Sequence, residues 1–255
     1  MKEYDSFGSA LKDSDTYEDP AIIEVVSSKT RGYRDFLASD TGQHASINRQ
    51  TAQNMFVISY VHSNRPVDVL ELGGACGASY YELNHFLPER IGQWFVVETP
   101  AMAAAGREIF QDDKIKFFDH FSAAVSVLKN PDLIIAQGVL QYTSNPIQML
   151  DDLLDLGFRY MYITRTTVSD RTKRPIITKQ VTSLSDHGPG KPFPEGLADR
   201  QTSQPLTIIP FESISSRISV DYDVVFSFKE GGSRKVLIGS RTVATREVGF
   251  LIEKR

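Results

Sequence analysis

Residues 71–77, Glu-Leu-Gly-Gly-Ala-Cys-Gly, follow a short apolar run and precede a helical pattern, and Glu98 closes the next apolar run 25 residues after Gly73. Glycines at the carboxyl end of a strand let the backbone turn tightly and approach a bulky ligand, while the helix that follows offers unpaired N–H groups at its start. An acidic side chain at the end of the second strand accepts hydrogen bonds from both hydroxyls of a ribose. The pattern predicts a nucleotide-like ligand cradled by Gly73, Gly74, Ala75 and Gly77, with Glu98 on its ribose. Two cofactor classes share this geometry, because Gly73-x-Ala75-x-x-Ala78 is also a degenerate dinucleotide fingerprint. Glu71 favours S-adenosylmethionine: a carboxylate just before the glycines suits the methionine ammonium and repels a pyrophosphate. An NAD(P)-dependent oxidoreductase on the same sheet is the alternative enzyme, and a cofactor-fold assembly protein without activity is the alternative that is not an enzyme.

The elements that must position these residues follow from periodicity. After residue 66, short apolar runs alternate with amphipathic helical stretches, the signature of a parallel sheet covered on both faces. Strands are expected over 67–72, 94–98, 115–118, 133–137 and 160–164, with helices over 78–87, 101–110, 122–128 and 146–156. Further strands follow over 221–228 and 249–253, with a hairpin arm across 229–248. The fold class is therefore α/β, a doubly wound, mostly parallel, Rossmann-like sheet of seven strands whose last strand is inserted antiparallel. Asp19-Pro20 marks a helix start, and residues 1–65 form a helical cap ahead of a main domain at 66–255. Alternation fails over 166–209, a stretch rich in Thr, Ser, Pro and Gly that reads as a loop insertion on the acceptor side.

The runs Val69-Leu70-Glu71-Leu72-Gly73-Gly74-Ala75-Cys76-Gly77-Ala78-Ser79-Tyr80-Tyr81, Val96-Val97-Glu98-Thr99-Pro100, Pro131-Asp132-Leu133-Ile134 and Val139-Leu140-Gln141-Tyr142 resemble a family of class I S-adenosylmethionine-dependent methyltransferases. Members of that family occur among surface-polysaccharide biosynthesis genes. The resemblance continues through Tyr162-Ile163-Thr164-Arg165-Thr166, Gln180-Val181 and Gly249-Phe250-Leu251. Asp is the family's expected residue where Thr164 stands, and Cys76 takes a usually aliphatic site. The resemblance implies that Gly73, Ala75 and Gly77 line the methionine and ribose, that Phe118 and Asp119 flank adenine, and that Gln137 and Gly138 face the sulfonium and the acceptor. It also places Gln141 and Tyr142 beside the acceptor, and it alone suggests a glycan.

For a hydroxyl acceptor a base is useful. His187, beside Asp186 in the Pro/Gly-rich loop, is the candidate base, with Tyr142 a second catalytic candidate. Arg165, near Arg171, Lys173 and Arg174, is a candidate grip for a phosphate or carboxylate on the acceptor. Cys76 is expected to be a packing residue.

Composition narrows the partners. With 28 Lys plus Arg against 32 Asp plus Glu, the net charge of −4 gives no basic field for nucleic acid. A single cysteine permits no internal disulfide, and no Cys/His spacing suits a metal. No run is apolar enough to span a membrane, and no leader is evident, so the expectation is a cytoplasmic enzyme acting on a small-molecule or glycan acceptor. The apolar stripes of the N-terminal helices cover the sheet or, in the alternative, a homodimer face.

Overall fold

The computed structural model describes residues 1–190 and 192–255 and, for Lys229, the backbone alone. Two compact units divide the chain: the first is Tyr17–Ile134 with Ser183–Gln201, the second Met1–Thr16, Ile135–Thr182 and Thr202–Arg255. A short opening helix, α1 (Phe7–Lys12), belongs to the second unit.

The first unit opens with α2 (Pro20–Ala38), where the Asp19 carboxylate accepts from the Ala21 N–H at 2.8 Å and Pro20 occupies the first turn. Asn48 caps α3 (Arg49–Val61) in the same way. Strand and helix then alternate: β1 (Val67–Leu72), α4 (Ala78–Phe86), β2 (Ile91–Val97), α5 (Pro100–Ile109), β3 (Ile115–Phe118), α6 (Phe121–Leu128) and the start of β4 (Leu133–Gln137). β2 lies between β1 and β3 and runs parallel to both. Every residue of β1 but Asp68 is buried, as a strand covered on both faces requires. Leu70, Trp94, Ile115 and Phe117 are fully buried here, each side chain contributing about 1.5–3 kcal/mol. α2 packs on α4 and α5, and α3 packs on α4.

The second unit completes β4 and continues through α7 (Pro146–Asp155), β5 (Tyr160–Ser169), β6 (Ile176–Ser183), β7 (Gln201–Pro210), α8 (Phe211–Asp221), β8 (Tyr222–Lys229), β9 (Arg234–Ile238) and β10 (Arg241–Lys254). β10 is antiparallel to both β5 and β8, so the final strand is inserted as expected. Its first half pairs instead with β9, which is the hairpin arm foreseen across 229–248.

The seven anticipated strands are joined by β6, β7 and β9. The stretch 166–209 is thus far more regular than its composition suggested: β5 runs on to Ser169, and β6 and β7 follow. Alternation was hidden because the inward positions of these strands carry Thr178, Thr202 and Gln204, all buried, where a strand reading looks for Val or Ile. Ile176, Leu206, Ile208, Ile238 and Val243 form the small apolar core of this extension.

Candidate functional site

The glycine turn sits at the carboxyl end of β1. Gly73, Ala75 and Gly77 have φ of +69°, +49° and +79°, so three of five consecutive residues are left-handed. Only Ala75 bears a Cβ there, at a cost of about 1–2 kcal/mol. A Cβ on Gly74 would lie 2.5 Å from Glu71 Oε2, and one on Gly77 would lie 2.4 Å from Ile115 Cδ1, so neither position accepts a side chain.

Glu71 is buried, and its Oε2 accepts from the Trp94 indole N–H at 2.8 Å. Burial pushes its carboxyl up to about 7, against the hydrogen bonds from Trp94 and Ser79, and Glu98 raises it further.

Glu98 is half-buried and held at both oxygens: Oε1 accepts from the Ala75 N–H at 2.9 Å and Oε2 from the Thr99 N–H at 2.9 Å. The strained alanine of the turn and the first residues of α5 therefore fix one carboxylate between them. Burial raises the Glu98 carboxyl above its ordinary range, the two N–H bonds pull it back, and the nearby Glu18 raises it again. Glu18 itself accepts from the Ala101 N–H at 3.4 Å. Sequence reading missed Glu18, which precedes the first strand by almost fifty residues and bears no local motif.

Phe118, at the end of β3, packs against Phe95 with the rings tilted by 31° and centroids 5.1 Å apart. Asp119, next in sequence, faces Arg107 at 3.5 Å and His120 at 4.0 Å. Cys76 is buried against Met102 Sδ, and burial pushes its thiol up to about 12, which leaves it unreactive.

His187 lies in the first unit on the 183–201 segment. Its ring is edge-on to Tyr17, and its carbonyl, like that of Ser185, accepts from Lys29 Nζ (2.8 and 3.0 Å). Asp186, expected to orient the imidazole, instead accepts from the Ser183 N–H at 3.1 Å in a capping box. Burial lowers the His187 pKa, with Asp186 opposing and Lys29 reinforcing that shift.

The second unit holds the remaining residues. Gly138 ends β4 with φ +64° and donates to the Thr164 carbonyl at 2.8 Å. The Gln141 side-chain amide donates to the Arg165 carbonyl at 2.9 Å, and the Tyr142 hydroxyl donates to Gln180 Oε1 at 2.6 Å. Arg165 has φ +52° and lies over Gly138. At 164, where the resemblance leads one to expect Asp, the Thr164 hydroxyl is hydrogen-bonded to the buried carboxylate of Glu230. Gly249 makes room for it, since a Cβ there would meet Glu230 Oε1 at 2.5 Å. Glu230 falls in the arm 229–248, where no strand-end signal marks it. A cavity of about 430 Å³ in the same unit is lined by Phe211, Phe228, Arg246 and Phe250, and none of the candidate site residues named from the sequence lines it.

No family model matches this sequence, and no curated protein matches it. Among solved structures, an S-adenosylmethionine-dependent methyltransferase from Clostridium acetobutylicum ATCC 824 aligns with a TM-score of 0.50 at 10% identity, over 89% of this chain and 98% of that one. The fold is that of the Rossmann-like methyltransferases. PH0226 from Pyrococcus horikoshii OT3 (TM-score 0.48, 11% identity, 88% and 99% covered) and the N-methyltransferase NodS from Bradyrhizobium japonicum WM9, crystallised with S-adenosyl-L-homocysteine (0.42, 14%, 88% and 98%), are more distant matches.

In a Rossmann-like sheet, ligands bind outside the carboxyl ends of the strands. The first unit brings the 73–77 turn, Glu98, Phe118 and Asp119 to the ends of β1, β2 and β3. The donor set fits an adenosyl ligand: a carboxylate held by two N–H groups, a glycine-rich turn beside it, and an aromatic followed by an acid at the end of the next strand. Among the described residues no group of three or more His, Cys, Asp or Glu is placed to hold a metal, and no helix is long and apolar enough to cross a membrane.

Proposed function

We propose that this protein is an S-adenosylmethionine-dependent methyltransferase that acts on oxygen of a small acceptor. The observation that carries the reading is Glu98, anchored by Ala75 and Thr99 N–H groups at the rim of a left-handed, glycine-lined turn. Its remaining lone pairs suit the two donor hydroxyls of a ribose. Gly73, Gly74, Ala75 and Gly77 would line the methionine and ribose, with Phe118 and Asp119 beside the adenine. Glu71 would support the turn from below, through Gly74. When bound, the cofactor supplies a methyl group carried on a cationic sulfur.

The chain's own task is alignment and, for a hydroxyl acceptor, removal of one proton. In the second unit we assign Gln137, Gly138, Gln141, Tyr142 and Arg165 to the acceptor side. We assign His187 to anchoring the 183–201 segment on α2, because its ring meets Tyr17 and its carbonyl accepts from Lys29. A sugar acceptor, and the use of a glycan, rest on the family resemblance alone. A cytoplasmic setting agrees with the lone buried cysteine.

The competing NAD(P) reading is tested by calorimetric titration of the purified protein with S-adenosylhomocysteine and, separately, with NADH. The methyltransferase reading expects saturable binding of the first and none of the second. Binding of NADH alone would overturn it.

A further inference from the structure

Arg165 lies at the irregularity in the β5–β10 pairing, where Thr164 and Arg165 stand opposite Gly249, and it combines three features. It is a β-strand residue with a Cβ held at φ +52°, a conformation that costs about 1–3 kcal/mol and persists where surrounding structure imposes it. Its side chain is exposed and lies back over Gly138: a Cβ on that glycine would sit 3.6 Å from Arg165 Cβ, 3.8 Å from Nε and 3.9 Å from Cζ. Gly138, the residue after β4, is left-handed at φ +64°, as glycine readily is, and its N–H bond to the Thr164 carbonyl sets it against the middle of β5. Finally, the guanidinium, like those of Arg171, Arg174 and Arg234, makes no ion pair with any described residue, while Arg159, Arg217, Arg241, Arg246 and Arg255 of the same unit each have a carboxylate.

Gln141 supplies an independent observation. It is only 4% exposed, and its amide nitrogen is committed to the Arg165 carbonyl at 2.9 Å, which ties it to the strained residue. Its Oε1 is buried and has no hydrogen-bond partner among the described residues. A buried acceptor left unmade costs about 1–3 kcal/mol. Strain, an unpaired guanidinium and an unmet acceptor thus coincide within one hydrogen bond of each other, and such coincident costs are characteristic of binding sites.

We propose that Arg165 is the anion-recognition residue for the methyl acceptor, positioned by Gln141, and that the acceptor carries a carboxylate or phosphate together with a hydrogen-bond donor such as a hydroxyl. The inference rests on the methyltransferase reading for the word acceptor, while the anion site itself stands on the geometry of Gly138, Gln141 and Arg165. The guanidinium presents a planar fork that matches either anion, and the Gln141 oxygen takes the donor. A neutral polyol satisfies only the second of these groups.

The test uses the full-length protein saturated with S-adenosylhomocysteine and titrated with inorganic phosphate, with glycolate, or with glycerol as the neutral control. Wild type is expected to bind at least one anion saturably and not to bind glycerol, with phosphate and glycolate distinguishing the two anion sources. Arg165→Met is expected to weaken the anion by about tenfold or more, the loss typical of a charge-assisted hydrogen bond. Arg165→Gly removes charge and strain together, so it should abolish anion binding while raising the melting temperature, which separates loss of the site from loss of the fold. Gln141→Leu should weaken binding of glycolate more than of acetate, because of these two carboxylates only glycolate has a hydroxyl donor. Unchanged anion affinity in Arg165→Met, or no saturable anion binding by wild type, overturns the proposal. If wild type failed to bind S-adenosylhomocysteine yet bound phosphate through Arg165, the methyltransferase reading alone would fall.

Discussion

Glu98 and Glu71 are two strand-end carboxylates with opposite tasks, and their surroundings separate them. Glu98 is ionised to be useful, since only the carboxylate accepts from two ribose hydroxyls while holding two N–H groups. Its pKa is raised by burial and by Glu18. Affinity for S-adenosylhomocysteine should therefore be full above that raised pKa and fall as pH drops through it. Glu18→Gln removes one raising charge, so the fall should move to lower pH in titrations across the acid range. Glu71 behaves differently. Its folded pKa of about 7 lies above the ordinary 4.5, so the folded chain binds the extra proton, and this group's contribution to stability grows as pH falls from about 7 to about 4.5. The shift corresponds to about 3 kcal/mol as an upper bound. Glu71→Gln keeps an acceptor for the Trp94 N–H and should stabilise the protein at pH 8 by about 1–3 kcal/mol while flattening that pH dependence; an unchanged denaturation midpoint at pH 8 would contradict it. Gly74→Ala drives a Cβ to 2.5 Å from the Glu71 carboxylate and should destabilise by about 1–3 kcal/mol.

At the scale of elements, the alternation from β1 to β4 was legible because strands covered on both faces read as short apolar runs bounded by Gly, Pro and Asn. The Asp19-Pro20 and Asn145-Pro146 starts were legible for the same local reason: each cap carboxylate or amide accepts from an N–H of its own first turn. β6 and β7 were not, since their buried faces use Thr178, Thr202 and Gln204, polar residues whose burial depends on partners remote in sequence. The 183–201 segment illustrates this dependence. Lys29 is buried on α2 and donates to the carbonyls of Ser185 and His187, a contact that spans more than 150 residues of chain and that no spacing rule reports. Lys29→Met strips both carbonyls of a charged donor. Hydrogen exchange should then accelerate through residues 184–190 while the amides of β1 and β2 remain protected; uniform protection in that segment would contradict the assigned role.

For the molecule as a whole, chain length, a net charge of −4 and a lone cysteine narrowed the expected partners, and the glycine turn with Glu98 pointed to a nucleotide-like ligand. The acceptor was less legible. Glu230 reaches Thr164 from the residue just past β8, and Arg165 is distinguished by a backbone angle that its identity does not betray. The account depends above all on the carboxylate that Ala75 and Thr99 hold at the rim of the turn. It is tested most directly by calorimetric titration of wild type and Glu98→Gln with S-adenosylhomocysteine at pH 8. A saturable wild-type isotherm with affinity lowered about tenfold to a hundredfold in the variant is predicted, the loss expected when charged acceptors of buried hydroxyls become neutral. Equal affinity in both proteins, or no binding by either, would contradict it.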